Sequence, residues 1–181
     1  MPLTKLQSEG LNLADNFAFT GTVSGAGGGI TVYDQWRLTA DTNAGTNSTV
    51  ASNWERVDST GFAYLSGVSE SSGIFTFPST GFYLINMNFW YAELDTDYIV
   101  SYIYTTTDNS SYGDAAGSVG SGDNTSKNNT GSMQFIFDVT NTSTHKVKFG
   151  CQGSNNDSLL NTAGGTNANQ TYATFIRLGA T

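Results

Sequence analysis

Three acidic side chains in "AELDTD", Glu93, Asp95 and Asp97, stand two residues apart. On an extended backbone that spacing turns all three to one side. Carboxylates so placed serve paired acid–base hydrolysis or hold a calcium ion. The helix–loop–helix calcium pattern is absent, however, and an isolated run of this kind is ordinarily a solvated turn between strands. Asp108, Asp114, Asp123 and Asp157 offer further oxygen ligands with the same low specificity. His145 is the single histidine, so zinc sites built on several imidazoles are excluded. A Ser–His–Asp arrangement would want a nucleophile elbow, and no such sequence occurs. "GAGGG" (25–29) resembles part of a phosphate-cradling loop, but Ile30 follows where the dinucleotide pattern needs glycine, and no Gly-Lys-Ser/Thr comes after it. The residues point to no catalytic group, no metal and no cofactor.

The elements that would carry such groups are strands. Helical periodicity is nearly absent and alternation runs through the chain. "ITVYDQWRLTA" (30–40) sets Ile30, Val32, Trp36 and Leu38 on one face. "GFAYL" (61–65) reads the same way. "DYIVSYIYTTT" (97–107) opposes Ile99 and Ile103 to Tyr98, Val100, Tyr102 and Tyr104. "GSMQFIFDVT" (131–140) alternates Met133, Phe135, Phe137 and Val139, and "HKVKFGCQ" (145–152) sets Val147, Phe149 and Cys151 against Lys146 and Lys148. "TYATFIRLGAT" (171–181) closes the chain as a last strand. Gly, Asn, Ser and Thr separate these runs at the spacing of a sandwich or barrel. Residues 105–132 and 153–170 are polar and Gly-rich and are expected to be long loops at one end of it.

The first 29 residues differ. Leu11, Leu13, Phe17 and Phe19 alternate ahead of a "SGAGGG" hinge (24–29). An arm of this length cannot bury its own apolar side, so it must pack on the domain, a sister chain or another protein. The hinge favours the last two, because a flexible linker decouples an arm from its domain. The expected organisation is an arm over 1–29 and a domain over 30–181.

Composition removes several function classes. Only seven Lys and Arg are scattered through the chain, which carries a net charge of -8. No patch can then neutralise several phosphates, so neither nucleic acid nor an anionic membrane surface is an expected partner. No run approaches the ~18 apolar residues of a membrane span. "MPLTKLQSEG" lacks the apolar core of a secretory signal, and the lone Cys151 suits a reducing compartment and behaves as a small buried hydrophobe. Seven Asn-X-Ser/Thr sequons therefore reflect Asn/Ser/Thr-rich loops and not glycosylation.

"GIFTFPSTGFYLINMNFWYAEL" (73–94) raises a different question. Tyr83, Ile85, Met87, Phe89 and Tyr91 form one apolar face. The other face is mixed: Phe82, Leu84, Asn86, Asn88 and Trp90. An internal layer, a covering arm or another subunit would each cover it. Aromatics and amides without charge are the composition of an interface core, so sister chains are the expected cover.

The same stretch resembles the central signature of C1q/TNF-like jelly rolls, with Gly73, Phe75, Pro78, Gly81 and Tyr83 matching a strand, a Pro-containing turn and a Gly-x-Tyr strand. "YATFIRLGAT" (172–181) is similar to that family's last strand and "GSMQFIFDVTNTSTHKVKFGCQ" to its penultimate hairpin, so the likeness spans roughly 34–181. The resemblance implies an all-β, ten-stranded jelly-roll sandwich whose three copies pack around an axis through the sheet that holds the Gly-x-Tyr strand. Collagen-like repeats and the usual cysteines are missing. The arm, "MPLTKL…GLNLADNFAFTGTVSG", and "DQWRLTADTNAGTNSTVASNWERVDSTG" resemble structural proteins of bacteriophages, marine ones especially, in which a short N-terminal segment docks on the virion and a C1q-like head projects.

Together these resemblances imply a non-enzymatic homotrimer of the virion, assembled in the host cytoplasm: a capsid decoration or fibre, or a tail-fibre subunit. Leu11, Leu13, Phe17 and Phe19 would dock on capsid or tail proteins, Phe82, Leu84, Asn86, Asn88 and Trp90 would line the trimer seam, and the long loops would touch host-surface glycans. The alternative is a soluble C1q-like module that binds a carbohydrate or protein. An enzyme using Glu93, Asp95 or His145 is the weaker rival.

Overall fold

The computed structural model describes residues 29–43, 48–94, 98–121, 127–153 and 161–181. Leu11, Leu13, Phe17 and Phe19, and with them the proposed arm up to residue 28, lie outside the described residues. Among those described there is no helix. The strands are β1 (Tyr33–Leu38), β2 (Thr42–Asn43), β3 (Ser48–Thr49), β4 (Trp54–Arg56), β5 (Ser69–Ser71), β6 (Ile74–Thr76), β7 (Gly81–Leu94), β8 (Tyr98–Thr106), β9 (Gly113–Ser121), β10 (Lys127–Val139), β11 (Lys146–Gly153), β12 (Asn161–Thr162) and β13 (Tyr172–Gly179). All but β2, β3 and β12 have three residues or more, which gives the ten principal strands that the resemblance implies.

Two antiparallel sheets face each other. The first runs β10-β7-β13-β1-β4, with β12 continuing beside β7 and β2 beside β12; the second runs β5-β6-β11-β8-β9, with β3 on β11. β7 is the spine of the first sheet, laddered to β10 on one side and to β13 on the other. Its odd residues Tyr83, Ile85, Met87, Phe89 and Tyr91 are all buried, as the alternation predicts. They meet Phe75, Ile99, Ile103, Val147 and Phe149 from the second sheet in one apolar core. Phe75 sits at its centre, with ring centroids 5.3 Å from Trp54, 5.3 Å from Phe149 and 5.2 Å from Phe175.

The signature residues earn their places by backbone geometry. Ser72 and Gly73 both take positive φ, 54° and 78°, the two-residue turn that matches the twist of the β5–β6 hairpin. A Cβ on Gly73 would stand 2.4 Å from the Val50 carbonyl oxygen. Gly81 opens β7 at φ 144°, where a Cβ would stand 2.4 Å from the Gly179 oxygen. Tyr83 then points inward and its hydroxyl donates to the Ser79 carbonyl at 2.9 Å, pinning the Pro78 turn to the strand.

Three expectations are corrected. Residues 105–132 are not one loop: they hold all of β9 and the start of β10. β9, "GDAAGSVGS", shows no apolar alternation because it is an edge strand with its side chains mostly in water. Its extended form comes from the ladder to β8, from Tyr98↔Ser121 to Thr105↔Gly113, so pairing overrides weak local propensity. Within 153–170, β12 pairs with β7 and β2, while residues 154–160 lie outside the described ones. "GFAYL" (61–65) is not a strand either: Gly61 turns at φ 90°, Phe62 N–H donates back to the Ser59 carbonyl, and only Leu65 bridges to β1 at Tyr33. Positive φ at Gly61 and at Ser66, 46°, closes the run at both ends, so its alternation does not extend into a strand. A fourth concerns the start of the domain: Val32 and Leu38 are buried and Trp36 half-buried as the alternation predicts, but Ile30 is exposed.

Candidate functional site: the outer face of the first sheet

The groups with chemical potential are dispersed or consumed. His145 is buried and stacks on Phe137 at 5.6 Å, with Thr140 Oγ1 and Thr144 Oγ1 each 3.1 Å from its ring nitrogens. Among the described residues no carboxylate is bonded to it. Cys151 lies in the core, and burial pushes its thiol up to about 12. Glu93 falls in β7, and Asp95 and Asp97 lie outside the described residues, as do Asp123 and Asp157. Asp108 is a turn device: its Oδ1 accepts from Ser111 N–H at 2.7 Å, Ser110 N–H at 2.8 Å and Thr106 Oγ1 at 2.8 Å, which holds its carboxyl well below the usual range. Asp114 is exposed on β9. Among the described residues no group of three His, Cys, Asp or Glu is placed to hold a metal ion.

Two charged clusters brace one end of the first sheet. Buried Asp34 accepts from Trp36 Nε1 at 2.9 Å and Arg56 Nε at 3.1 Å, and the Arg56 guanidinium lies 4.8 Å from the Trp36 ring and 4.2 Å from that of Tyr64. Arg37, fully buried, reaches Glu55 at 2.7 Å and Asp58 at 2.5 Å. These charge-assisted bonds tie β1 to β4 and to the segment that follows it, which is a structural role.

The surface that remains is the outer face of the first sheet, where Phe82, Leu84, Asn86, Asn88 and Trp90 all project from β7. The strand registers sort it into rows. One row crosses the sheet as Ile136, Leu84, Ile176 and Tyr33, and continues to Leu65 through the Tyr33 bridge. Its members range from half-buried Leu84 and Ile176 to Ile136 at 57% exposure. The next row is Gln134, Asn86, Thr174 and Gln35: amides and one hydroxyl, without a charge. At about 4.8 Å per strand the four strands of each row extend over roughly 14 Å. A hollow of about 210 Å³ opens between the rows, lined by Gln35, Leu84, Asn86, Tyr172, Thr174 and Ile176.

The five residues of the face are not equivalent. Leu84 and Asn86 lie at its centre. Asn88 is tied down, its Nδ2 donating to the Gln170 carbonyl at 3.0 Å. Trp90 lies at the far end, beside a separate hollow of about 370 Å³ with Asn128, Asn129 and Thr130. Phe82 lies at the opposite end, opposite Asp138 and Gly179. Sequence reading missed Ile136, Ile176, Tyr33 and Leu65. A signal for the first two was present: Phe135-Ile136-Phe137 and Phe175-Ile176 each put an apolar residue out of phase with an inward-facing run.

No family model matches the sequence, and no curated protein is similar to it. Solved structures are similar in fold. The Eiger TNF of S. frugiperda superposes at a TM-score of 0.64 with 10% identity, covering 83% of this chain and 94% of that one. Murine APRIL, in structures at pH 8.5 and pH 5.0, superposes at a TM-score of 0.58 with 13% and 12% identity, covering 81% of this chain and 98% of that one. The fold is a TNF-like jelly roll. At this identity the likeness concerns the path of the chain alone.

Proposed function

We propose that the chain is a non-enzymatic structural protein of a bacteriophage virion, a homotrimeric appendage of the capsid-decoration, fibre or tail-fibre type. Residues 1–29 anchor it on capsid or tail proteins through Leu11, Leu13, Phe17 and Phe19, and the jelly-roll head is displayed for attachment to host-surface glycans. The observation that carries self-association is the row from Ile136 to Leu65, an uncharged apolar band that one chain leaves in water. Bands of this kind mark interaction surfaces. The virion role rests on the N-terminal resemblance to phage structural proteins, and the trimeric state on the C1q/TNF-like resemblance.

Sedimentation equilibrium tests the assembly. The full chain is expected at three times its 19.2 kDa mass. Leu84→Asp, which places a carboxylate in the centre of the band, is expected to sediment as a single chain while keeping its β circular dichroism. A wild-type monomer at all concentrations would overturn the trimer. Immunogold labelling of intact particles with antibody to the head tests the virion role, and unlabelled particles would retire it.

A second reading, the soluble carbohydrate- or protein-binding module, is favoured by one feature of the second sheet. Tyr102 and Tyr104 stack at 5.3 Å on its outer side, and Lys148 Nζ lies 4.4 Å from the Tyr112 ring. Glycan binding by the head without particle association would select that reading.

A further inference from the structure

We infer that Asn86 fixes the register in which copies of this chain associate, through a side-chain amide that bonds a sister chain across the outer face of the first sheet. The inference rests on the homotrimer proposed above. Within one chain the polar row is already partly wired. Gln35 Nε2 donates to Thr174 Oγ1 at 2.8 Å, and Gln35 Oε1 accepts from Asn169 Nδ2 at 2.7 Å. Asn88 spends its amide on the Gln170 carbonyl. Asn86 stands between them, half-buried against the hollow, and its side-chain amide bonds to no other described residue.

An amide in that position carries donors and an acceptor into any contact that covers it. An apolar cover would strand them, since a buried polar group without a partner is costly. A charged cover finds no opposite charge, because neither row from β10 to β1 contains an ionisable acid or base apart from the Tyr33 hydroxyl. A second copy meets both conditions. Two chains of net charge -8 repel through most of their surfaces, and this uncharged face is where that repulsion is weakest. An amide also both donates and accepts, so an identical face can satisfy it. The neighbouring apolar row supplies attraction without direction, which leaves register and copy number open. A directional amide beside that apolar row settles both, on the principle by which a buried asparagine does so in coiled coils.

The test uses the full chain and sedimentation. Asn86→Leu keeps the number and branching of side-chain heavy atoms and removes the hydrogen bonds, on a strand face that already carries Leu84. It is expected to associate still, but over more than one oligomeric mass instead of a single three-chain species. Asn86→Asp is expected to raise the dissociation constant at least tenfold at pH 7 and to recover at pH 4, where a carboxyl desolvated in the seam takes up its proton. A single species of wild-type mass for Asn86→Leu, or unchanged association of Asn86→Asp at pH 7, would overturn the role of Asn86 and leave the trimer standing. A wild-type chain that never associates would overturn both together.

Discussion

Cys151 shows how a lone thiol is silenced at the residue scale. It lies in the apolar core beside β8, and burial lifts it from 9.0 to about 12. Tyr104, half-buried on the outer side, is lifted from 10.0 to about 12, by desolvation first and then by the Asp114 charge. Both groups are acids whose neutral form the folded state prefers. Their contribution to stability is therefore complete below pH 9 and is lost as pH climbs toward 12. We expect the urea midpoint to be flat from pH 7 to 9 and to fall steadily above it, with Cys151→Ala falling less. At pH 8 the native thiol should resist a disulfide reagent that titrates one equivalent after unfolding. Asn86 and Asn88 make the complementary point: two identical amides two residues apart on one strand have different fates, because only Asn88 finds a backbone carbonyl within reach.

At the element scale the β8–β9 connection depends on one carboxylate. Asp108 collects Ser110 N–H, Ser111 N–H and the Thr106 hydroxyl, and so orders the turn that starts the β9 ladder. An acid held below its ordinary value stabilises above that value and stops doing so as pH falls through the folded one. Asp108→Asn is expected to speed amide exchange at Ser110 and Ser111 at neutral pH and to leave exchange in β7 unchanged. The wild type should show the same local loosening when acidified below pH 3.8. This is also where sequence reading failed. β7, β8, β10, β11 and β13 each have one buried face and alternate accordingly, so they were legible. β9 brings only half-buried Ala115 and Ala116 against the core, and the strand exists because β8 offers a free edge.

On the scale of the whole molecule, the two sheets are held by rings. Phe75 from β6 touches Trp36, Trp54 and Phe175 of the opposite sheet as well as Phe149 of its own. Phe75→Ala opens a cavity that neither rigid sheet can close, and should cost about 3–5 kcal/mol. A loss under 1 kcal/mol in a urea titration would mean that the sheets relax into the space. Association is a separate matter, because the face from Ile136 to Leu65 lies on the far side of the first sheet from this core.

What the sequence determined by itself was whatever depends on local spacing. Alternation declared an all-β chain, the Gly73 to Tyr83 signature gave the jelly roll, and out-of-place apolar residues on β7 betrayed a second face that needs a cover. Sparse cations and a single histidine argued against phosphate partners and zinc. Only the tertiary structure decided which residues share that face. Ile136, Ile176 and Tyr33 are 40 to 143 residues apart along the chain and become neighbours through strand register alone. Register is set jointly by every ladder in a sheet, so no window of sequence contains it. The same holds for β9, whose partner, not its composition, makes it a strand.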